Sequence, residues 1–384
     1  MFTLRAGLVA VVSLVVAVAS GCTADPTFGD EDEDSDEEAG QTEDPLTVPA
    51  ATGPLQFTDA CRPGTTVTIA AVGDVLLHGS LQRQAYSSPE GFASLWKGVG
   101  PLLSKTDLTY GNLEGPCADG HTVSGTAPDP GRVFDERVYS SYPQFNYHPS
   151  LIGALKADGF DVVSTANNHA LDRRGRGADR TIENLESAGM PFTGTRPSTN
   201  PEAPWYAITE AKGVKVAWLA CTFSTNGIPD PKNQVLSCYE DRAVLLSTIA
   251  SLREQPGIDA VIVTPHWGAE YTHSPAAQEK KLAHDMLDAG ATAVLGGHPH
   301  VVQPWEKYTT ADGREGFVIY SLGNFVSGQN GLAKRSSLVL YLGLTKGVDA
   351  SGRVTTTVNG VRHAPIQMNP SPWTATYARG ESLG

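Results

Sequence analysis

The chain has 384 residues, of which 40% are hydrophobic and 18% charged, so it can form a globular protein of one large domain or two small ones. Of its formal net charge of −14, Arg5 contributes +1 and residues 23–56 contribute −11, which leaves −4 for residues 57–384. A mildly acidic body with no visible Lys/Arg stripe argues against nucleic acid as a partner.

Residues 1–21 read as a leader rather than as part of a fold. Arg5 supplies a thin positive start, and Ala6 to Ala19 is almost wholly apolar but short for a membrane span. The small residues of Val18-Ala-Ser-Gly-Cys22 resemble the bacterial lipobox. That resemblance implies cleavage before Cys22 and lipidation of Cys22, with an ordinary cleaved signal as the alternative. The expected location is the cell envelope, extracytoplasmic and lipid-anchored. Residues 22–56 follow as an acidic disordered tether. Between 23 and 56 there are 11 acidic side chains and no Lys or Arg, densest from Asp30 to Glu38. Such a segment repels itself and has little to bury.

With Cys22 set aside, Cys61, Cys117, Cys221 and Cys238 remain, an even number that predicts disulfides in an exported chain. Three pairings are open. The 16-residue loop between Cys221 and Cys238 is rich in Gly, Pro and Asn and favours that pair, leaving Cys61 with Cys117.

In chain order, Thr66 to Val72 is a β-branched run that predicts the first core strand. It ends in Gly73-Asp74, with His78 four residues past Asp74. A carboxylate there can hold a cation or cap a helix. Asp107 to Gly111 predicts a second strand ending in Asn112-Leu113-Glu114, and a carboxylate has two oxygens with which to bridge two cations. Residues 116–148 are rich in Gly, Pro and Asp and read as a surface insertion facing substrate. Leu151, Ile152 and Leu155 have helical spacing within Pro149 to Asp158, and Gly159 stops that helix. Asp161 to Thr165 predicts a strand running into Asn167-Asn168-His169-Ala-Leu-Asp172. Gly177 to Gly189 predicts a helix, and Pro191 to Thr195 another strand. Trp205 to Thr209 and Val214 to Thr222 predict a hairpin around Lys212-Gly213.

Further on, Tyr239 to Glu254 predicts a helix. Asp259 to Thr264 is an apolar, parallel-type strand with His266, Glu270 and Tyr271 beyond its end. Pro275 to Ala289 predicts a helix closed by Gly290. Ala291 to Leu295 predicts a buried strand that opens into Gly296-Gly297-His298-Pro299-His300. Phe317 to Tyr320 predicts a strand ending in Ser321-Leu-Gly-Asn324-Phe325. Ser337 to Leu344 and Val354 to Asn359 alternate like antiparallel strands. The globular domain is expected over 57–370, with 371–384 a loosely held tail.

Strands alternating with helices predict an α/β fold, in which ligands bind beyond the carboxyl ends of strands. Asp74, Glu114, Asn168, His266, His298 and His300 all fall there. Two carboxylates, an amide oxygen and three imidazoles suit Zn, Mn or Fe rather than Ca. Six ligands exceed what one catalytic zinc takes and suit two metals sharing a carboxylate. The remaining histidines, 121, 148, 273, 284 and 363, have no ligand context and read as structural or surface.

Taken together, Gly73-Asp74, Asn112-Leu-Glu114, Asn167-Asn-His169, His266-Trp-Gly-x-Glu270-Tyr271, Gly297-His-Pro-His300 and Tyr320-Ser-Leu-Gly-Asn-Phe325 resemble the motif set of the capsule synthesis protein CapA family. The resemblance covers roughly residues 66–330. It implies a four-layer α/β/β/α sandwich of the calcineurin-like metallophosphoesterase type and a link to poly-γ-glutamate capsule assembly. It implies two divalent ions, with Asp74 and His300 on the first, Asn168, His266 and His298 on the second, and Glu114 bridging where the superfamily has Asp. His169 would be the acid beside the leaving group. One departure concerns His78, because the superfamily places its first histidine two residues after the aspartate. The implied substrates are an anionic polymer or a phosphoester, with capsule synthesis or export proteins as partners. A non-enzymatic lipoprotein that binds an anionic polymer during export is the alternative. Glu270 is expected to orient His266, Tyr271 to wall the pocket, and Asn167, Ser321 and Asn324 to meet substrate or support the turns.

Overall fold

The computed structural model describes residues 55–378. The leader, Cys22 and the tether up to residue 54 therefore lie outside the described residues, as do residues 379–384. The elements in order are β1 (Thr65–Leu76), α1 (Gly79–Ser87), α2 (Gly100–Leu103), β2 (Leu108–Leu113), α3 (Ser150–Ala157), β3 (Val162–Ser164), α4 (Arg174–Ala188), β4 (Phe192–Thr193), β5 (Tyr206–Ala211), β6 (Val214–Thr222) and α5 (Arg242–Glu254). They continue with β7 (Ala260–His266), α6 (Ala277–Ala289), β8 (Ala293–Leu295), β9 (Trp305–Thr309), β10 (Glu315–Ile319), β11 (Asn324–Ser327), α7 (Leu332–Arg335), β12 (Ser336–Val348), β13 (Val354–Asn369) and β14 (Thr374–Tyr377).

The strands form two sheets. One runs β14-β13-β12-β1-β2-β3-β4, with β11 also paired to β1; the other runs β5-β6-β7-β8-β10-β9. The period of two along each strand decides the layers. Val67, Ile69 and Ala71 of β1 face the second sheet, while Ala70 and Val72 face a helical layer. In β6, Val214, Val216 and Trp218 face the first sheet, whereas Ala217 and Leu219 face α5 and α6. Tyr110 of β2 stacks on Trp218 across the gap, with ring centroids 5.4 Å apart. Buried residues of α1, α3 and α4 cover the first sheet's outer face. The result is the expected four-layer α/β/β/α sandwich.

Register sets the rim. In the first sheet Asn324, Asp74, Asn112 and Ser164 are paired in one row across β11, β1, β2 and β3. In the second, Thr222, His266 and Gly297 form a matching row. Gly73 permits the first row: a Cβ there would lie 1.7 Å from the carbonyl oxygen of Gly323. No side chain fits where two backbones approach so closely.

Several expectations need correction. Cys221 and Cys238 are bonded, but Cys61 and Cys117 are not, since Cys61 is exposed and Cys117 fully buried. The segment expected as a tail from residue 371 contributes β14, which pairs with β13 from Ile366 to Asn369. Ala375 of β14 packs into the helical core, an apolar contact too short to show in sequence periodicity. Asn324 and Phe325, read as the end of the preceding strand, open a strand of their own, β11.

Replacing both Cys221 and Cys238 by alanine is expected to lower the unfolding free energy by about 3 kcal/mol, the chain entropy released by opening a loop of this size. Denaturant unfolding of the double variant checks this; an unchanged midpoint would mean that the bond does not constrain the chain.

Candidate metal centre

Each residue of the centre comes from a strand end or from the turn just beyond it. Asp74 lies on β1, Glu114 one residue past β2, Asn168 and His169 past β3, His266 at the end of β7, and His298 and His300 past β8. Asp74 and Glu114 have no exposed surface, and the three imidazoles are buried with them. Ligand-type atoms of Asp74, Glu114 and His266 lie within 4.8 Å of one another, as do those of Glu114, His298 and His300. The two triplets share Glu114. Pair distances cut across these triplets: His300 Nδ1 is 3.2 Å from Asp74 Oδ2, while His266 Nε2 is 3.2 Å from His298 Nδ1 and 3.0 Å from Asn168 Oδ1. Each grouping takes in five of the six residues singled out from the sequence, the triplets without Asn168 and the close pairs without Glu114, and together they cover all six.

The turn carrying the two imidazoles is strained. His298 has φ 97° and His300 φ 58°. Non-glycine residues held in this region cost about 1–3 kcal/mol each, and such strain collects at functional sites. Gly296 lets the turn close, since a Cβ on it would meet the Tyr320 carbonyl oxygen at 2.0 Å.

The electrostatics follow from burial. Desolvation opposes the charged form of His300, but Glu114 and the bond to Asp74 outweigh it and push its pKa up to about 10. Burial also opposes ionisation of Asp74, and again the His300 contact prevails and holds that carboxyl below its ordinary value. For His298 nothing offsets burial; burial, then the neighbouring His266, push it well below the ordinary histidine value.

The donor set fits divalent cations. Both Glu114 carboxylate oxygens are buried without a hydrogen-bond donor among the described residues. A buried carboxylate in that state is costly unless a cation compensates it. The facing ring nitrogens of His266 and His298 likewise need a proton or a cation between them.

His169 stands beside the triplets, with Nδ1 2.8 Å from Asp172 Oδ2. Desolvation disfavours its charged form, but the Asp172 charge and hydrogen bond prevail and raise its pKa. The backbone N–H of Phe145 also donates to Asp172 Oδ2, at 2.6 Å, and the Phe145 ring packs edge-on against His169. Phe145 belongs to the 116–148 insertion. The buried Arg173 ties that insertion down by donating to the carbonyls of His121, Val138 and Gln144 and to Ser140 Oγ. A cavity of about 320 Å³ opens here, walled by Tyr142, Gln144, Asn168, His169, Asn226, Glu270 and His300 among others.

The secondary expectations divide. Asn167 donates to the Leu113 carbonyl and to Asn112, so it supports the turn that carries Glu114. Asn324 Oδ1 is 3.0 Å from His300 Nδ1. The Tyr271 ring lies 6.0 Å from that of His300. Ser321 serves its own turn, accepting the Gly323 N–H. Glu270 makes no hydrogen bond to His266 among the described residues; it lines the cavity beside His300. His78 joins neither triplet. It sits past the end of β1 as the N-cap of α1, and its Nδ1 accepts the Gly328 N–H. Two supports were not assigned from sequence. Asn112 Nδ2 donates to Asp74 Oδ1 at 2.8 Å and lies 3.2 Å from His266 Nδ1. The role of Asp172 was signalled only by its spacing of three from His169.

With this geometry in view, comparison with known proteins decides the family. The model of the bacterial capsule synthesis protein PGA_cap family matches residues 68–329. The chain belongs to that family. It is 30% identical over 300 residues to the capsule biosynthesis protein CapA of Bacillus anthracis, covering 75% of this chain and 67% of that one. The PGA biosynthesis protein CapA of Bacillus subtilis (strain 168) is 27% identical, over 76% of this chain and 71% of the relative. A probable polyglutamine synthesis accessory protein of Mycobacterium tuberculosis is 26% identical over 52% of this chain and 55% of its own length. The matched span contains every residue of the two triplets, His169 and Asp172.

In the metal-free protein, Asp172→Asn is expected to lower the His169 pKa below its ordinary value. The substitution removes the charge that favours imidazolium and leaves the burial that opposes it. An NMR titration of the imidazole checks this; an unshifted pKa would mean that Asp172 does not govern His169.

Proposed function

We propose that this protein is a metal-dependent hydrolase acting on the γ-glutamyl amide bonds of an anionic capsule polymer, anchored outside the cytoplasm by a lipid on Cys22. The observation that carries the reading is Glu114: both its oxygens are buried without a donor where the two triplets meet, next to the cavity walled by His169. Asp74, Glu114, Asn168, His266, His298 and His300 would hold two divalent ions, and their mixed oxygen and nitrogen donors suit Mn, Zn or Fe. Bound there, such ions supply Lewis acidity and lower the pKa of water. Everything else in the site is the chain's own work. Asp172 engages Nδ1 of His169, which leaves Nε2 to hand a proton to the departing amine. Phe145 and Asp172 hold that imidazole in place, and Asn112 and Asn324 hold Asp74 and His300.

Amide over phosphoester is favoured by the relatives, whose names concern capsule, PGA and polyglutamine synthesis. Placement outside the cytoplasm is supported by the Cys221–Cys238 disulfide, since such bonds persist in oxidising compartments. Partner proteins would be those that make or export the polymer.

Elemental analysis of the purified protein, alongside hydrolysis of poly-γ-glutamate and of a chromogenic phosphoester, tests this. About two metals per chain are expected. His298→Ala is expected to lose metal, while His169→Ala keeps metal and loses about 10²- to 10⁴-fold in rate. No bound metal after Mn or Zn addition, together with no hydrolysis of either substrate, would overturn the reading in favour of a polymer-binding lipoprotein. Cleavage of the phosphoester alone would move the substrate class.

A further inference from the structure

The cavity beside His169 carries the carboxylates of Asp172 and Glu270 and no Lys or Arg. A repeating polyanion brings one charge per repeat, and cations at the reacting centre can neutralise only the group that reacts. The neighbouring repeat needs a second positive charge. The Lys334 ammonium lies 4.6 Å from the centroid of the Tyr271 ring, and that ring lies 6.0 Å from the ring of His300, which lines the cavity. Lys334 is half-buried, and among the described residues it has no carboxylate within ion-pair distance. Its backbone is tied to the centre by one side chain. Asn324 Nδ2 donates to the Lys334 carbonyl at 3.0 Å and to Gln329 at 2.9 Å, while its Oδ1 is 3.0 Å from His300 Nδ1. The segment 328–335 is thus pinned at a defined distance from His300, with a cation held over the aromatic ring.

We propose that Lys334, seated on Tyr271, is a specificity-determining residue that binds the anionic group one repeat away from the reacting bond of a polycarboxylate chain. This rests on the polymer-hydrolase reading, and it deepens that reading by placing an anion subsite on the His300 side of the centre. Lys334 lies just beyond the span matched by the family model, which ends at residue 329.

The test is calorimetric binding of tetra-γ-glutamate, and separately of inorganic phosphate, to the metal-loaded protein at low salt. The His169→Ala background keeps the oligomer from being turned over. In that background Lys334→Ala is expected to weaken tetra-γ-glutamate binding about tenfold, the loss of one charge-assisted contact. Phosphate binding and metal content are expected to stay unchanged, and Lys334→Arg should hold the oligomer within about threefold of the parent. Unchanged oligomer affinity in Lys334→Ala would overturn the proposal. So would an equal loss for phosphate, or a parent that does not bind the oligomer at all. Oligomer binding that depends on Lys334, in a wild-type protein that cleaves no amide, would sink the hydrolase reading and leave the subsite standing.

Discussion

Two carboxylates with no exposed surface, Asp74 and Glu114, stand among three buried imidazoles, and the rest of the rim is arranged to make that tolerable. Removing a charge from water costs several kcal/mol unless a partner compensates it. Asp74 has His300 and Asn112 for that purpose. Glu114 has the approach of His266 at 3.3 Å and the charge of nearby His300, but among the described residues no hydrogen-bond donor. Divalent cations would resolve that deficit, and the strained His298–His300 turn is the arrangement that keeps nitrogen donors pointed at it.

The two-sheet architecture makes this cluster possible. No single sheet presents so many ligand-type side chains at one level. Packing β1 and β2 against β6 and β7 through Tyr110 and Trp218 brings two rows of strand ends to a common edge. One row contributes Asp74 and Asn112, the other His266 and the turn after Gly297. The walls come from segments that do not belong to the sheets. Arg173 clamps the 116–148 insertion, and through Phe145 that clamp reaches the His169–Asp172 pair. The disulfide-closed loop between Cys221 and Cys238 supplies Phe223, whose ring lies 4.5 Å from that of His298, together with Asn226 at the cavity. Ligand-type groups on a rigid rim and cavity walls on tethered loops are separate parts, so the walls can change while the centre is kept.

Much of the rim was legible because its signals are local. A β-branched or apolar run followed by glycine and a ligand-type residue marks the rim, at Gly73-Asp74, where β1 runs on to Leu76, and at Gly297-His298, just past β8. The β-branched run of β1 and the apolar run of β7 likewise report their burial directly. Asn112 was visible as part of a motif, yet its task of bridging Asp74 and His266 was not, because those partners lie 38 and 154 residues away. The Cys61–Cys117 pairing failed for a related reason. Parity of cysteines says nothing about distance, and burial of Cys117 in the helical core keeps it from an exposed Cys61.

Composition, periodicity and the strand-end motifs by themselves determined the α/β class and the position of most core strands, and marked the six ligand-type residues, since each depends on neighbours within a few residues. Only the tertiary structure decided which of those residues face one another, that His78 stands at a helix N-terminus outside both triplets, that Glu270 lines the cavity without a hydrogen bond to His266, and that β14 edges the sheet. Those outcomes depend on register and packing between segments far apart in the chain, where a side chain's partner is set by how two sheets stack and not by the residues beside it.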